Sequence, residues 1–406
     1  MINILNEALK KEDKKGEKSF LSPDWKVTSQ SGKNIVDVLQ NIDEKTEVLR
    51  VEPQNLILVS ITRRNRDGIK TVSINPLEVD PEEIITSNLS LDEEVMCKDD
   101  LLKVGVDEST LTEAFEEGHF LMSLQDDCLL IPCKGFTALI GKKLKAGKMP
   151  AGLNLARDLY LASLMGMGST PVTIVTRGDK STGTLKAVAA FGEQYPFVYQ
   201  MDTFKSLKGG LEQLFGQMTE KSWCVTHQFT SITWAVCSCG DVTLGVCAQW
   251  SQTGYASTQL FPVAIYATGE TEKIGPEVTR INSGSAVAAD PEFQKLVAAF
   301  GTIWKEVIPL RDALARGKEI PVSSFKDEIE KASNLITIRD GFNAKKADKF
   351  RSAFKDVPDN PGTVYDVLMH IMYAPVLMHR LFSGTYEMVP NVASAALAVA
   401  ESKGVL

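Results

Sequence analysis

The sequence predicts an α+β protein with an antiparallel β-meander in the middle of the chain and a helical layer at its carboxyl end. Runs of β-forming residues recur in pairs separated by short polar turns, and from Asp290 onward the apolar residues change to helical spacing. Consecutive strands with few helices between them are typical of a meander, whereas a doubly wound sheet alternates strands with helices.

The first region, residues 1–120, is predicted to be an α/β region with one β-hairpin and an acidic segment. The β-rich runs Leu56–Thr62 and Ile69–Ile74 flank a polar stretch that includes Asp67–Gly68, and glycine accepts the positive φ of a tight turn without steric cost. Between Glu78 and Glu117, fourteen Asp and Glu residues stand against two Lys, a local balance of −12 in a chain of net charge −8. The rest of the chain therefore carries about +4, and the acidic total does not exclude a basic surface.

The central region, residues 121–289, is predicted to be rich in strands that follow a helix at Leu153–Met165. Two more hairpins are expected here, and they pair Val172–Thr176 with Leu185–Phe191 and Phe229–Cys237 with Val242–Trp250. A further strand, Gln259–Ala267, contains Pro262, which suits an edge or a bulge because proline has no amide hydrogen. These strands make up the expected meander.

The last region, residues 290–406, is predicted to be helical and to pack on the sheet. Asp290 followed by Pro291 favours a helix start, since Asp caps free amide groups and Pro has no amide to leave unpaired. Thr363 with Asp366 resembles a capping box, and Pro375 should kink or break the helix that follows. The later predicted helices are Ser324–Asn334, Ala344–Phe354, Thr363–Phe382 and Val392–Ser402.

Composition places the chain among ordered globular proteins, because 44% of its 406 residues are hydrophobic and 24% are charged. No apolar run approaches the length of about 18 residues that spans a bilayer, and the start of the chain lacks the apolar core of a secretion signal. Seven cysteines in a chain without such a signal fit reduced thiols. We therefore expect a cytoplasmic protein that does not associate with membranes.

No stretch of the sequence carries a recognisable catalytic or cofactor-binding motif. Gly141–Pro150 departs from a phosphate-binding loop, because five residues instead of four separate its glycines and Met149 replaces the hydroxyl residue. Ser323 and Lys326 have the spacing of a Ser-Lys pair, but a capped helix start explains them better. We expect no catalytic residue and no cofactor.

A group of thiol and imidazole side chains in the central region raises the question of a metal. Its members fall within 24 positions and are Cys224, His227, Cys237, Cys239 and Cys247. Zinc prefers such ligands, but on strands Cys224 and His227 would face opposite ways, while Cys237 and Cys239 would share a face. Packing of small cysteines within the sheet explains the pattern better, so we predict no metal site.

Three groups of basic residues are the candidate binding residues. They are Arg63, Arg64 and Arg66 at the tip of the first hairpin; Lys142, Lys143, Lys145 and Lys148 in a glycine-bounded turn; and Lys345, Lys346, Lys349 and Arg351 on a predicted helix. Cationic grooves with aromatic neighbours hold single-stranded nucleic acid by following its phosphates. Each group alone is more typical of a solvated face, so the binding hypothesis depends on folding that brings the groups together.

Several segments resemble a family of unknown function that is encoded by phages, prophages and plasmids and known as phage/plasmid-like proteins. The resemblance spans roughly residues 150–380, and its segments are Gly245–Ala267, Val278–Gly284 and Pro361–Ala374, with Leu185–Val198 as further support. Trp250 and Gln252 stand where the family pattern has Asn and Glu. The resemblance implies a role in the life cycle of a mobile element, and such elements often encode proteins that coat or anneal single strands.

These observations favour a non-enzymatic, homo-oligomeric phage or plasmid protein that binds or anneals single-stranded DNA through its basic clusters. A structural or shell-forming assembly protein of a phage is the alternative, because it would share the acidic net charge and the lack of a catalytic motif. An enzyme with an unfamiliar constellation is the third hypothesis, and the cysteine-rich sheet around His227 would be its best feature.

Overall fold

The computed structural model describes residues 25–52, 56–65, 68–73, 93–94, 120–124, 128–132, 171–179, 184–192, 197–226, 229–253, 257–279, 291–339, 344–352, 357, 359–373 and 392–406. These residues form two compact units. The first takes its described residues from Met1–Thr203, Cys224–Thr230 and Ser251–Ala256, and the second from Phe204–Trp223, Ser231–Trp250 and Ser257–Leu406. The predicted division into residues 1–120, 121–289 and 290–406 stays a prediction.

The architecture is α+β, as the sequence predicts. Its strands are β1 (Lys26–Thr28), β2 (Thr46–Val51), β3 (Leu56–Asn65), β4 (Gly68–Ser73), β5 (Glu93–Glu94), β6 (Phe120–Leu124), β7 (Cys128–Pro132), β8 (Val172–Asp179), β9 (Thr184–Gly192), β10 (Thr219–Thr226), β11 (Thr230–Cys239), β12 (Val242–Trp250), β13 (Gln259–Tyr266), β14 (Thr271–Lys273), β15 (Val278–Thr279), β16 (Pro321–Val322) and β17 (Gly362–Thr363). Its helices are α1 (Ile35–Glu44), α2 (Gln200–Phe215), α3 (Pro291–Val307), α4 (Pro309–Gly317), α5 (Phe325–Arg339), α6 (Ala344–Ser352), α7 (Val364–Met372) and α8 (Val392–Ser402).

The sheet of the first unit has the strand order β2-β8-β9-β7-β6-β3-β4-β5. β7 and β9 are parallel, while the other neighbouring strands of this sheet are antiparallel. The predicted hairpins around Asp67–Gly68 and between Val172 and Phe191 are confirmed as β3–β4 and β8–β9. Helix α1 lies against β2 and buries Ile35 and Leu39, and Asn34 caps it by accepting a hydrogen bond from the Val36 amide at 2.8 Å.

The second sheet contains the meander that the sequence predicts. β10, β11, β12, β13 and β14 are neighbours in chain order, β15 also pairs with β13, and β1 pairs with the Cys224–Thr226 end of β10. Pro262 lies inside β13, opposite Val246 and between the residues that pair with β14 and β15. Because proline donates no hydrogen bond, it fits this gap in the pairing, where its carbonyl accepts from the Ile274 amide at 3.0 Å.

The β11–β12 hairpin depends on two glycines. Gly240 has a φ of +79° in the turn, a conformation that side chains other than glycine rarely adopt. Gly245 on β12 lies close to the backbone of β11. A Cβ atom at this position would stand 2.3 Å from the carbonyl oxygen of Trp234. The close approach of the two strands therefore requires glycine at residue 245.

Helices cover much of the second unit after residue 290, as predicted. α3 begins at the expected Pro291 and buries Phe293, Phe300 and Trp304, and it packs against β13. Around α7 pack α4, α5 and α8, and α8 has the predicted bounds. The capping box of Thr363 and Asp366 is present. No helix among the described residues is long and apolar enough to cross a bilayer.

Several expectations have a different outcome or fall outside the described residues. α5 continues past the predicted end to Arg339, and α7 ends at Met372, beyond which Pro375 lies outside the described part of the chain. The expected helix at Leu153–Met165 also lies outside it. α1 and α2 are helices that the pattern analysis did not predict.

Candidate functional site

The first basic cluster lies at the free end of the β3–β4 hairpin, which we call the basic ribbon (Thr62–Lys70). β6 pairs with β3 up to Ile61, and β5 pairs with β4 at Thr71 and Val72. Beyond those residues, β3 and β4 pair with each other and with no other described strand. The described residues thus form a two-stranded ribbon at the end of the larger sheet.

The register of the basic ribbon sets cationic residues opposite each other. Arg63 is the partner of Lys70, and Arg64 is the partner of Ile69. Directly opposite residues of an antiparallel pair share one face of the ribbon, so Arg63 and Lys70 occupy the same face. Arg66 lies outside the described residues. Lys70 was not among the predicted binding residues, and only the pairing register reveals it.

The second basic cluster, Lys142, Lys143, Lys145 and Lys148, lies entirely outside the described residues. The third lies on α6, as predicted, where Lys345 is exposed and Ala347 is buried. Lys346 and Lys349 also belong to this helix. The basic ribbon is part of the first unit and α6 is part of the second, so convergence of the clusters stays a prediction.

The side chain of Arg351, near the end of α6, makes hydrogen bonds to a neighbouring helix. Its Nε donates to Asn334 Oδ1 at 3.0 Å, and its Nη2 donates to Thr337 Oγ1 at 3.5 Å. Both acceptors belong to α5, so the guanidinium joins the two helices. Its Nη1 also lies 3.5 Å from the Asp348 carboxylate on α6. Arg351 is therefore a weaker candidate for phosphate binding than Lys345.

Four cysteines of the meander lie within the described residues. Cys239 and Cys247 are buried, while Cys224 and Cys237 are half-buried. A hydrogen bond between the thiols of Cys237 and Cys239 places both on one face of β11, lowers the pKa of Cys237 and raises that of Cys239. His227 lies outside the described residues. Among the residues that the structure describes, no group of three His, Cys, Asp or Glu side chains is arranged to hold a metal.

A buried polar network in the first unit was not predicted from the sequence. Asp43, near the end of α1, accepts hydrogen bonds from the amides of Gln200 at 2.9 Å and Met201 at 2.8 Å. These two amides belong to the first turn of α2 and have no partner within that helix. Burial raises the pKa of Asp43, and the two amides and Gln252 act in the opposite direction. Asp43 thus caps a helix that is distant in sequence.

Gln252 connects this network to the larger sheet. Its Nε2 donates to Asp43 Oδ1 at 3.3 Å and to the Val198 carbonyl at 3.2 Å, while its Oε1 accepts from Arg177 Nη2 at 3.2 Å. Arg177 is 2% exposed, and Thr230 donates to Gln200 at 3.2 Å. A satisfied hydrogen-bond network of this kind fixes the chain segments that it joins.

The second unit contains an open cavity of about 470 Å³ beside α7, which we call the aromatic cavity. The residues around it include Tyr266, Phe325, Asn360, Asp366, His370 and Tyr373. Tyr266 and Tyr373 meet edge to face with ring centroids 5.0 Å apart, and Phe325 and His370 do so at 5.5 Å. Burial lowers the pKa of His370, which keeps the imidazole neutral near pH 7.

Comparison with known proteins adds no assignment to this geometry. No protein-family model, curated protein or solved structure matches the chain.

Proposed function

We propose that this chain is a phage or plasmid protein that binds or anneals single-stranded DNA as a homo-oligomer in the host cytoplasm, without catalysing a reaction. The observation that carries the proposal is the register of the basic ribbon, in which Arg63 and Lys70 stand opposite each other. The main contact with the phosphates is assigned to this ribbon.

Like charges directly opposite in a β-ribbon destabilise it. Cations that contact phosphates release counterions from the nucleic acid, so a polyanion gains affinity from two cationic residues at opposite positions. The tip sequence supplies Arg63, Arg64, Arg66 and Lys70 against the single acid Asp67. A ribbon that extends past its sheet can reach phosphates along a strand without a deep pocket, which suits binding that does not depend on base sequence.

Helix α6 supplies a second contact in this proposal. It carries Lys345, Lys346 and Lys349, and its buried Ala347 marks the side that packs on the protein. Arg351 is left out of the contact because it bonds to α5. The role in a mobile element is supported by the resemblance of Gly245–Ala267 and Pro361–Ala374 to phage/plasmid-like proteins. Oligomerisation is proposed because proteins that coat strands act as arrays.

The test is fluorescence anisotropy with a labelled oligothymidylate of about 30 nucleotides, titrated with the full chain between about 50 and 200 mM salt. We expect binding that weakens steeply as salt rises. The triple variant Arg63→Gln, Arg64→Gln and Lys70→Gln should bind more weakly, and its slope of log affinity against log salt should be shallower by about 2, because about 0.7 is lost per phosphate contact.

A matched control variant removes three cations from the second unit, whereas the basic ribbon belongs to the first. Lys208, Lys295 and Lys331 are exposed lysines that each pair with a glutamate on the same helix, and their replacement by Gln gives the same change in net charge. The control should keep both the affinity and the salt slope. Absence of binding at low salt, or an equal loss in the control, would contradict the proposal. Closed shells or sheets seen by electron microscopy without DNA would favour the assembly-protein alternative.

A further inference from the structure

We propose that the aromatic cavity of the second unit binds a small organic cation of the alkylammonium class. This site is separate from the basic ribbon and from α6, and its ligand has the opposite charge to DNA. A volume of about 470 Å³ is within the range of small-molecule sites. The rings, the charges and the fixed position of one carboxylate each support this choice of ligand.

Aromatic rings supply the recognition surface. Tyr266 and Tyr373 are nearly perpendicular, with an interplanar angle of 88°, and Phe325 and His370 meet at 80°. All four rings are among the residues that line the cavity, and aromatic rings are the side chains that hold methylated ammonium groups in aromatic cages. The face of an aromatic ring is electronegative, so it attracts a cation within about 6 Å of its centroid.

The charges around the cavity also favour a cation. Asp366 lines it, and no Lys or Arg is among its lining residues in the described chain. Glu270 accepts a hydrogen bond from the Tyr373 hydroxyl, which places a second carboxylate beside one of the rings. Burial raises the pKa of Tyr266, and the nearby Glu272, Tyr373 and Glu270 raise it further. Among the described lining residues, a phosphate or carboxylate ligand would meet an acid and no Lys or Arg.

Asp366 is held in place by the start of α7. Its Oδ2 accepts from the amide and the hydroxyl of Thr363, both at 2.8 Å, and this capping box fixes the carboxylate at the rim of the cavity. Gly362 also lines the cavity, and a Cβ atom there would stand 3.3 Å from Asp366 Oδ2. The carboxylate is thus positioned before a ligand arrives, which reduces the entropy lost on binding.

The experiment compares choline with 3,3-dimethylbutan-1-ol, its uncharged isostere, by calorimetric titration of the full chain. We expect saturable binding of choline and about tenfold weaker binding of the isostere, because only the cation is attracted by the ring faces and by the Asp366 carboxylate. Inorganic phosphate should neither bind in the cavity nor compete with choline.

Two variants locate the ligand. Phe325→Leu removes a ring and Asp366→Asn removes the charge while keeping an oxygen acceptor for the capping box, so each should weaken choline binding by about fivefold or more. Tyr365→Phe is the control on the same helix, because the Tyr365 hydroxyl bonds to Asp241 and the residue does not line the cavity. Equal affinity for the isostere, competition by phosphate, or unchanged binding in both folded variants would overturn the proposal. None of these outcomes bears on DNA binding by the basic ribbon.

Discussion

Replacing Asp43 with alanine is expected to destabilise the first unit more than most single substitutions in it. The carboxylate accepts from the amides of Gln200 and Met201 and from the amide group of Gln252, at distances of 2.8 to 3.3 Å. Alanine leaves these three donors without their acceptor, in a half-buried position. The variant therefore removes the cap of α2 and part of the network around Gln252 in one step.

The magnitude follows from the number of donors. An unsatisfied buried donor costs about 1–3 kcal/mol, and loss of a helix cap costs about 1 kcal/mol. Relief of the desolvation that raises the pKa of Asp43 offsets part of this loss. We expect a net loss of about 2–3 kcal/mol in the free energy of unfolding for Asp43→Ala, and about 1 kcal/mol for Asp43→Asn, which keeps one acceptor oxygen.

Urea unfolding measures the stability, and hydrogen exchange of the segment that contains Gln200 and Met201 measures the cap directly. Both amides should exchange faster in Asp43→Ala, because they lose their acceptor. Glu44→Ala is the matched control, since Glu44 is the exposed neighbour at the end of the same helix and its loss should change the stability by less than about 0.5 kcal/mol. Unchanged exchange at Gln200 and Met201 would refute the capping role of Asp43.

Two further predictions concern the second unit. Gly245→Ala should destabilise it by more than about 2 kcal/mol in urea unfolding, because its Cβ would stand 2.3 Å from the Trp234 carbonyl. Gly209→Ala, in open space within α2, should instead stabilise by about 0.5–1 kcal/mol, and a loss in both variants would contradict the steric argument. His370 has a lowered pKa, so the unfolded chain binds its proton first and stability should fall as pH drops below about 6.5, by up to about 1.4 kcal/mol per pH unit. His370→Gln should flatten that decline between pH 5 and 7, and an identical pH profile would show that another group causes it.

The hairpins were predictable because their determinants are local. Runs of β-forming residues joined by short turns with glycine need no distant partner to be recognised, and β3–β4, β8–β9 and β11–β12 follow them closely. α1 was also within reach, since Ile35, Val38, Leu39 and Ile42 recur at helical spacing behind the Asn34 cap.

α2 could not be predicted in the same way. Gly209 and Gly210 lie in its interior, and glycine lowers helix propensity by about 1 kcal/mol per residue. A Cβ atom at Gly210 would stand 3.1 Å from Val297 and 3.3 Å from Phe293 of α3, so the close packing of the two helices accounts for this glycine. The reason lies in tertiary structure, which local patterns do not contain.

The polar network around Asp43 also could not be predicted from local sequence patterns, because its members are far apart in the sequence. Asp43 and Gln252 are 209 residues apart, and neither stands in a motif that indicates the other. In this fold the Gln252 amide serves both neighbours, because its Nε2 donates to Asp43 while its Oε1 accepts from Arg177. A glutamate could accept from Arg177 but would place a second carboxylate beside Asp43.

The basic clusters show why counting charges along a sequence does not locate a binding surface. On α6, the Arg351 guanidinium donates hydrogen bonds to Asn334 and Thr337. The cluster therefore offers fewer cations for phosphate binding than its sequence suggests. At the β3–β4 hairpin the register adds Lys70, a residue seven positions from Arg63 that the sequence analysis did not group with it. We therefore assign the main phosphate contact to the basic ribbon instead of α6. The triple variant of the ribbon is the more decisive test of DNA binding.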